Sequence, residues 1–399
     1  MFWLHNWVYN INSMKRFFLI FLLISFYVLF FTSSSCLAIE DPLSLPNNKM
    51  GVHILFPSEI NKAANLINSN GGDWGYVTIP IQAGDRDLEK WQKFMDDAAK
   101  FHVVPIIRLA TEGDYFNTTF WKKPTEEDIL DFANFLNSLD WPVKNRYIVV
   151  FNEVNRADEW EGDVNPEEYA RLLGYTASVF KSLNVDFFII SGGLDNAAAN
   201  LSGKYMDEYD YMIKMNDSVP GIFSLIDGLG SHSYPNPGFK QIPYLLTDCN
   251  VGSFSYEKNL ADRLSGKNLP VFITETGWSK EELSEKQIGL YFKYTFESVW
   301  SNSSVVAVTP FLLQAGQGPF LKFSLINVGG EYNEISRHLE EIPKTKGQPT
   351  LNTGLSPSSN FTHKDIPVKT FSKKTQYENI PIEETKAFEF AKWFLKLFI

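Results

Sequence analysis

Only two cysteines, Cys36 and Cys249, occur in 399 residues. Cys36 sits at the end of an N-terminal apolar segment, so a chain trimmed there keeps Cys249 alone and has no intrachain disulfide. The six histidines are scattered, no His/Cys/Asp cluster has the spacing of a zinc site, and no metal is expected. Cations are also in deficit: 36 Lys and Arg stand against 47 Asp and Glu, a net charge of −11. Binding to a phosphate backbone needs clustered cations, so nucleic acid is not an expected partner. No G-x-G-x-x-G follows the first apolar strand, Gly51–Phe56, and no P-loop occurs anywhere. The apolar run Phe17–Phe31 falls short of the ~20 residues that span a bilayer.

What remains is a globular composition, 44% hydrophobic and 21% charged, in a chain long enough for one large domain. Lys15-Arg16, the apolar run and the small residues before Ile39 have the layout of a secretory leader, with cleavage after Ala38. The alternative is a retained anchor. Either way residues 1–38 stand apart, and the protein is expected to be secreted or held at the cell surface. Residues 39–339 form the main domain. The Pro-, Lys-, Thr-, Ser- and Asn-rich stretch 340–381 reads as a linker or strap. Residues 382–399 read as an amphipathic helix that either closes the domain or lies on a membrane.

Within the main domain, short apolar runs alternate with longer amphipathic ones. The expected strands are Gly51–Phe56, Gly75–Ile81, Val103–Leu109, Arg146–Asn152, Asp186–Ser191, Ile226–Ser231, Pro270–Glu275 and Val305–Leu313. Stretches such as Tyr147-Ile148-Val149-Val150-Phe151 are apolar at every position, as parallel strands buried on both faces are. Helix starts are marked between them. Thr125 precedes apolar residues at helical spacing, Asn165-Pro166-Glu167-Glu168 carries an N-cap and a Glu placed to close a capping box, and Ser284-Glu285-Lys286-Gln287 repeats the pattern. Asn70-Gly71-Gly72 tolerates the positive φ that ends a helix. Eight strands separated mostly by helices predict an α/β fold, a (β/α)8 TIM barrel.

In such barrels the reacting groups sit at the carboxyl ends of strands. The fourth strand closes with Asn152-Glu153 and the seventh with Glu275-Thr276-Gly277-Trp278. Two carboxylates facing one cavity suit glycosidic bond cleavage, one as acid and one as nucleophile or base. With these motifs the chain resembles clan A of the glycoside hydrolases over roughly residues 50 to 335. The resemblance implies a retaining double displacement, with Glu153 as acid/base and Glu275 as nucleophile. It implies that Asn152 binds the sugar 2-hydroxyl. The stretch Ser231-His232-Ser233-Tyr234 is similar to the clan's His-x-Tyr, which would set His232 at the sugar subsite and Tyr234 on the nucleophile.

Arg108, ending the third strand, is placed to pair with Glu275, and Trp160 and Trp278 are candidate stacking platforms. Glu112 and Asp195 also follow strands, as subsite-lining or structural carboxylates, and His53 falls in the barrel mouth or core. The clan's strand-8 Trp is missing here, leaving Phe311 or Gln314 as substitutes. The expected partner is a carbohydrate, and the reaction needs no cofactor. Two further readings share the same cleft: a catalytically silent carbohydrate-binding barrel and a transglycosylase.

Overall fold

A computed structural model describes residues 39–111, 120–316 and 318–352. The expected leader (1–38), Glu112 and the expected C-terminal helix (382–399) lie outside the described residues. Eight strands each lead into a helix. They are β1 (Gly51–His53), α1 (Ile60–Ile67), β2 (Gly75–Gln82), α2 (Leu88–Lys100), β3 (Val103–Ala110), α3 (Glu126–Asn137), β4 (Arg146–Val150) and α4 (Pro166–Leu183) in the first half. The second half holds β5 (Phe187–Ser191), α5 (Glu208–Ser218), β6 (Leu229–His232), α6 (Ser253–Ser265), β7 (Val271–Glu275), α7 (Glu285–Glu297), β8 (Val305–Val308) and α8 (Glu334–Glu341).

All strand pairs are parallel and follow chain order. Single parallel bridges, Ile190 to Gly228 and Met50 to Val308, join β5 to β6 and β8 to β1, so the sheet closes into a (β/α)8 barrel. Each strand is buried on both faces. Tyr76, Val104, Ile106, Tyr147, Val149, Phe188, Ile190, Phe272 and Val306 fill the barrel interior. Their neighbours, such as Val77, Ile107, Ile148, Ile189 and Ile273, pack outward against the helices. This period of two inside an all-apolar run is why the strands could be read from sequence.

Caps set the helix starts. Thr125 and Asp128 form a reciprocal capping box at α3. Asn165 caps α4 and Ser284 caps α7, each accepting from a backbone N–H three residues on. The expected box at α4 does not close, because Glu168 is drawn away to Lys123 Nζ and Trp160 Nε1. Asn70 and Gly71 take the expected positive φ after α1.

Several boundaries differ from the sequence reading: β4 ends at Val150 rather than Asn152, and β6 runs Leu229–His232 rather than Ile226–Ser231. β1 and β8 pair over fewer residues than their apolar runs, because Thr309–Leu313 gives up the regular ladder for single bonds to His53 at the end of β1, to Ile273 in β7 and to Thr276 just past it. The eighth helix is the two-turn α8, which runs to Glu341, past the expected boundary at 339. Beyond it, Lys346 bridges to Asp73 and Leu351 to Val143. Asp73 and Val143 precede β2 and β4, so this segment crosses the amino-terminal end of the barrel, opposite the strand ends that carry the site. Among the described residues no helix is long and apolar enough to cross a membrane.

Candidate active site

Glu275 is the last residue of β7 and His232 the last of β6; Glu153 stands three residues beyond β4 and Tyr234 two beyond β6. All four therefore gather at the carboxyl rim. The turn after β4 is unusual, since Phe151 (φ 67) and Glu153 (φ 39) both occupy the left-handed region that non-glycine residues avoid. The Glu153 amide donates to the Gly193 carbonyl at 2.9 Å, which holds that turn against the end of β5.

His232 lies between the two carboxylates. Its Nδ1 is 3.0 Å from Glu153 Oε1 and 3.9 Å from Glu275 Oε2. One oxygen of each carboxylate and one His232 ring nitrogen all fall within 4.8 Å of one another. The other edge of the imidazole rests on Gly193. A Cβ there would stand 2.2 Å from His232 Cδ2, so only glycine lets the ring lie this close to the backbone.

Each carboxylate has a separate cation on its outer side. Arg156 Nη1 is 3.5 Å from Glu153 Oε2, and the same guanidinium is fixed by Asp158 at 2.7 Å and Asp195 at 3.1 Å. Arg108 Nη1 is 3.6 Å from Glu275 Oε1, and Tyr234 donates its hydroxyl to Glu275 Oε2 at 3.0 Å. His53, wholly buried at the end of β1, brings Nε2 to 3.6 Å from Glu275 Oε1.

These contacts set the protonation states. Burial pushes the Glu153 carboxyl up, but the His232 hydrogen bond and the Arg156 charge outweigh it, and the group sits below its usual range. Burial pushes His232 down, and the charges of Glu275 and Glu153 overcome that and raise it. Glu153 and His232 then share a proton that lies towards the imidazole. Proximity and burial alone would suggest a protonated acid; the cations reverse that. His53 is held well below its ordinary value by burial, then by the charge of Arg108, so it is neutral.

Several buried polar atoms at the rim have no hydrogen-bond partner: both ring nitrogens of His53 and Arg108 Nε, on residues beside Glu275, and Asn152 Oδ1, on the residue before Glu153. Buried polar groups are normally satisfied, so this cluster marks a place that receives hydroxyls or water. Aromatic rings wall the same mouth. Phe311 lies edge-on to His53 at 5.1 Å, and Tyr234, Phe239 and Phe323 pack around it.

The structure brings together Glu153, Glu275, His232, Tyr234, Arg108 and Asn152. It does not bring in the two tryptophans. Trp160 is fully buried against Phe151 and Tyr169, with Nε1 on Glu168. Trp278 is 1% exposed, packs on Tyr291, Phe292 and Trp300, and donates to the Gln241 carbonyl. Neither ring has a free face for a sugar, so both are corrected from platforms to core residues. Asp195 is structural, holding Arg156. At the end of β8 it is Phe311, not Gln314, that meets a site side chain.

Arg156 was not singled out from the sequence. It follows Glu153 by three residues across a tight turn, in which its amide donates to the Glu153 carbonyl at 2.9 Å.

No family model matches the sequence, and no curated protein matches it. Solved structures do resemble the fold. A family 39 glycoside hydrolase from Bacteroides cellulosilyticus matches with a TM-score of 0.55 at 18% identity, over 76% of this chain and 64% of that one. A family 39 β-xylosidase from Caulobacter crescentus matches at 0.54 and 15%, over 74% and 71%. A family 5, subfamily 18 protein from Bifidobacterium longum subsp. infantis matches at 0.52 and 12%, over 75% and 79%. The chain thus spans less than two thirds of the first of these proteins. At such identities the likeness establishes the shared (β/α)8 architecture.

Proposed function

We propose that the protein is a retaining glycoside hydrolase, with Glu153 as acid/base and Glu275 as nucleophile. The observation that carries this reading is the meeting of the two carboxylates, from β4 and β7, within 4.8 Å at their nearest oxygens. Retaining enzymes hold their carboxyl groups ~5–5.5 Å apart, whereas inverting ones leave ~6.5–9.5 Å for a water. That the architecture is shared with glycoside hydrolases of families 39 and 5 supports it.

The roles follow from the surroundings. Tyr234 and Arg108 stabilise negative charge on Glu275, which suits an attacking carboxylate. Glu153 takes the shared proton from His232 across 3.0 Å and gives it to the leaving oxygen. With Glu275 esterified to the sugar, Glu153 is again a base and draws a proton from the incoming water. Asn152 Oδ1, Arg108 Nε and the His53 nitrogens find their missing partners on sugar hydroxyls, and Phe311 offers an aromatic wall in place of a tryptophan. The protein is proposed to act on carbohydrate outside the cytoplasm, a placement that rests on the leader-like sequence.

The test is a pair of variants on aryl glycosides with an activated leaving group. Glu275→Ala should abolish turnover. Glu153→Ala should still be glycosylated but release sugar slowly, and azide, which needs no base, should restore its rate. Azide rescue confined to the Glu275 variant would reverse the roles. No hydrolysis by the wild type across a glycan panel would favour a silent carbohydrate-binding barrel, and sugar transfer to an added acceptor in preference to water would favour a transglycosylase.

A further inference from the structure

We propose that Glu153, His232 and Glu275 together form a Zn2+ site, and that zinc is an inhibitor competing with substrate for the same three side chains. An imidazole nitrogen and two carboxylate oxygens are an ordinary zinc donor set, and three protein ligands with a fourth position open to water is a common arrangement. Bonds of ~2.0–2.2 Å place tetrahedral ligand atoms about 3.3–3.5 Å apart. The separations from His232 Nδ1, 3.0 Å to Glu153 Oε1 and 3.9 Å to Glu275 Oε2, bracket that value. All three ligand atoms fall within 4.8 Å, so small side-chain adjustments close the triangle.

The oxygens that face His232 are the ones available. Arg156 and Arg108 engage the opposite oxygens, Glu153 Oε2 and Glu275 Oε1. Tyr234 donates to Glu275 Oε2 but leaves that oxygen a second lone pair. A second imidazole stands alongside. His53 is wholly buried, neither of its ring nitrogens has a hydrogen-bond partner, and Nε2 is 3.6 Å from Glu275 Oε1. That unpartnered buried nitrogen stands against the opposite oxygen of Glu275, beside the triangle of ligand atoms rather than in it. The ligands come from β4, β6 and β7, so the barrel holds them in place before any ion arrives. On binding, zinc displaces the Nδ1 proton of His232 to solvent. The two guanidinium groups repel the ion, so affinity should be micromolar and zinc a reversible inhibitor.

The zinc site rests on the geometry alone and its competition with substrate on the function proposed above, so the test reads binding rather than turnover. Protein freed of metal with a chelator is titrated with zinc chloride in a calorimeter, and with Co2+ to read the visible absorption of a tetrahedral ion. One equivalent should bind. Glu153→Gln and Glu275→Gln, both close to isosteric, should each weaken binding by more than about tenfold, the size of loss that even an outer partner causes. His102→Ala, at an exposed pair with Asp73, should bind as the wild type does. Thermal melts confirm that each variant is folded. No binding by the wild type, full-strength binding in either Gln variant, or loss of binding in His102→Ala would each overturn the proposal.

Discussion

Tyr234 makes one hydrogen bond that matters for chemistry, the 3.0 Å contact from its hydroxyl to Glu275 Oε2. Removing a preorganised donor at a reacting group commonly costs a factor of about a hundred or more in rate. Tyr234→Phe should therefore lower kcat by about a hundredfold with little change in melting temperature, as steady-state kinetics and a thermal melt would show. Trp278 should behave in the opposite way. Its ring is core and its N–H is spent on the Gln241 carbonyl, so Trp278→Phe should cost about 1–3 kcal/mol of stability and leave KM unchanged. Denaturant unfolding beside kinetics separates the two. Glu153 and Glu275 were legible because a carboxylate closing an apolar strand has no packing reason to be there, whereas His232 and Tyr234 were reached through the resemblance to a His-x-Tyr stretch. Trp160 and Trp278 misled because a tryptophan after a strand looks the same whether its ring turns to the cleft or to the helices. The cation beside Glu153 also escaped, since its effect on the carboxyl depends on where Asp158 and Asp195 hold it.

Between α6 and β6 a different carboxyl group is exposed to a cost. Glu257 is 2% exposed and accepts a hydrogen bond from Ser231 at 2.9 Å. Burial, more than these hydroxyl contacts can offset, pushes its pKa from 4.5 to about 7. Between those values the native protein binds more protons than the unfolded chain, so stability falls as pH rises through that window. Above it the loss is complete, on the order of 3 kcal/mol for Glu257 alone. Glu257→Gln keeps the acceptor oxygen and removes the charge. It should melt above the wild type near pH ~8 and level with it near pH ~4. Equal melting at both would show that Glu257 ionises freely in the fold. At this scale the sequence was most readable where caps are local, as at Thr125 and Asn165. It was least readable at α8, whose two turns bury only Ile335, Ser336 and Leu339 and leave too short a period to see.

The whole barrel is what turns distant residues into a site. β4, β6 and β7 place Glu153, His232 and Glu275 on one rim although more than a hundred residues separate the two carboxylates. Eight buried strands could be counted from the sequence because most run nearly continuously apolar, although β6 reads Leu-Gly-Ser-His, and the rim followed from the strand ends. A strap after the last helix and the pairing of Arg108 with Glu275 were also expected, but the end of the barrel the strap crosses and the place of Arg156 were not, because both depend on how the ring closes. The central claim is that Glu275 attacks the sugar. It is tested most directly by trapping the wild type with activated 2-deoxy-2-fluoro glycosides, in which the fluorine slows both steps and the activated leaving group restores only the first. Peptide mass spectrometry should find one sugar per chain, on Glu275. A label on Glu153, or product released with inverted anomeric configuration, would contradict the account.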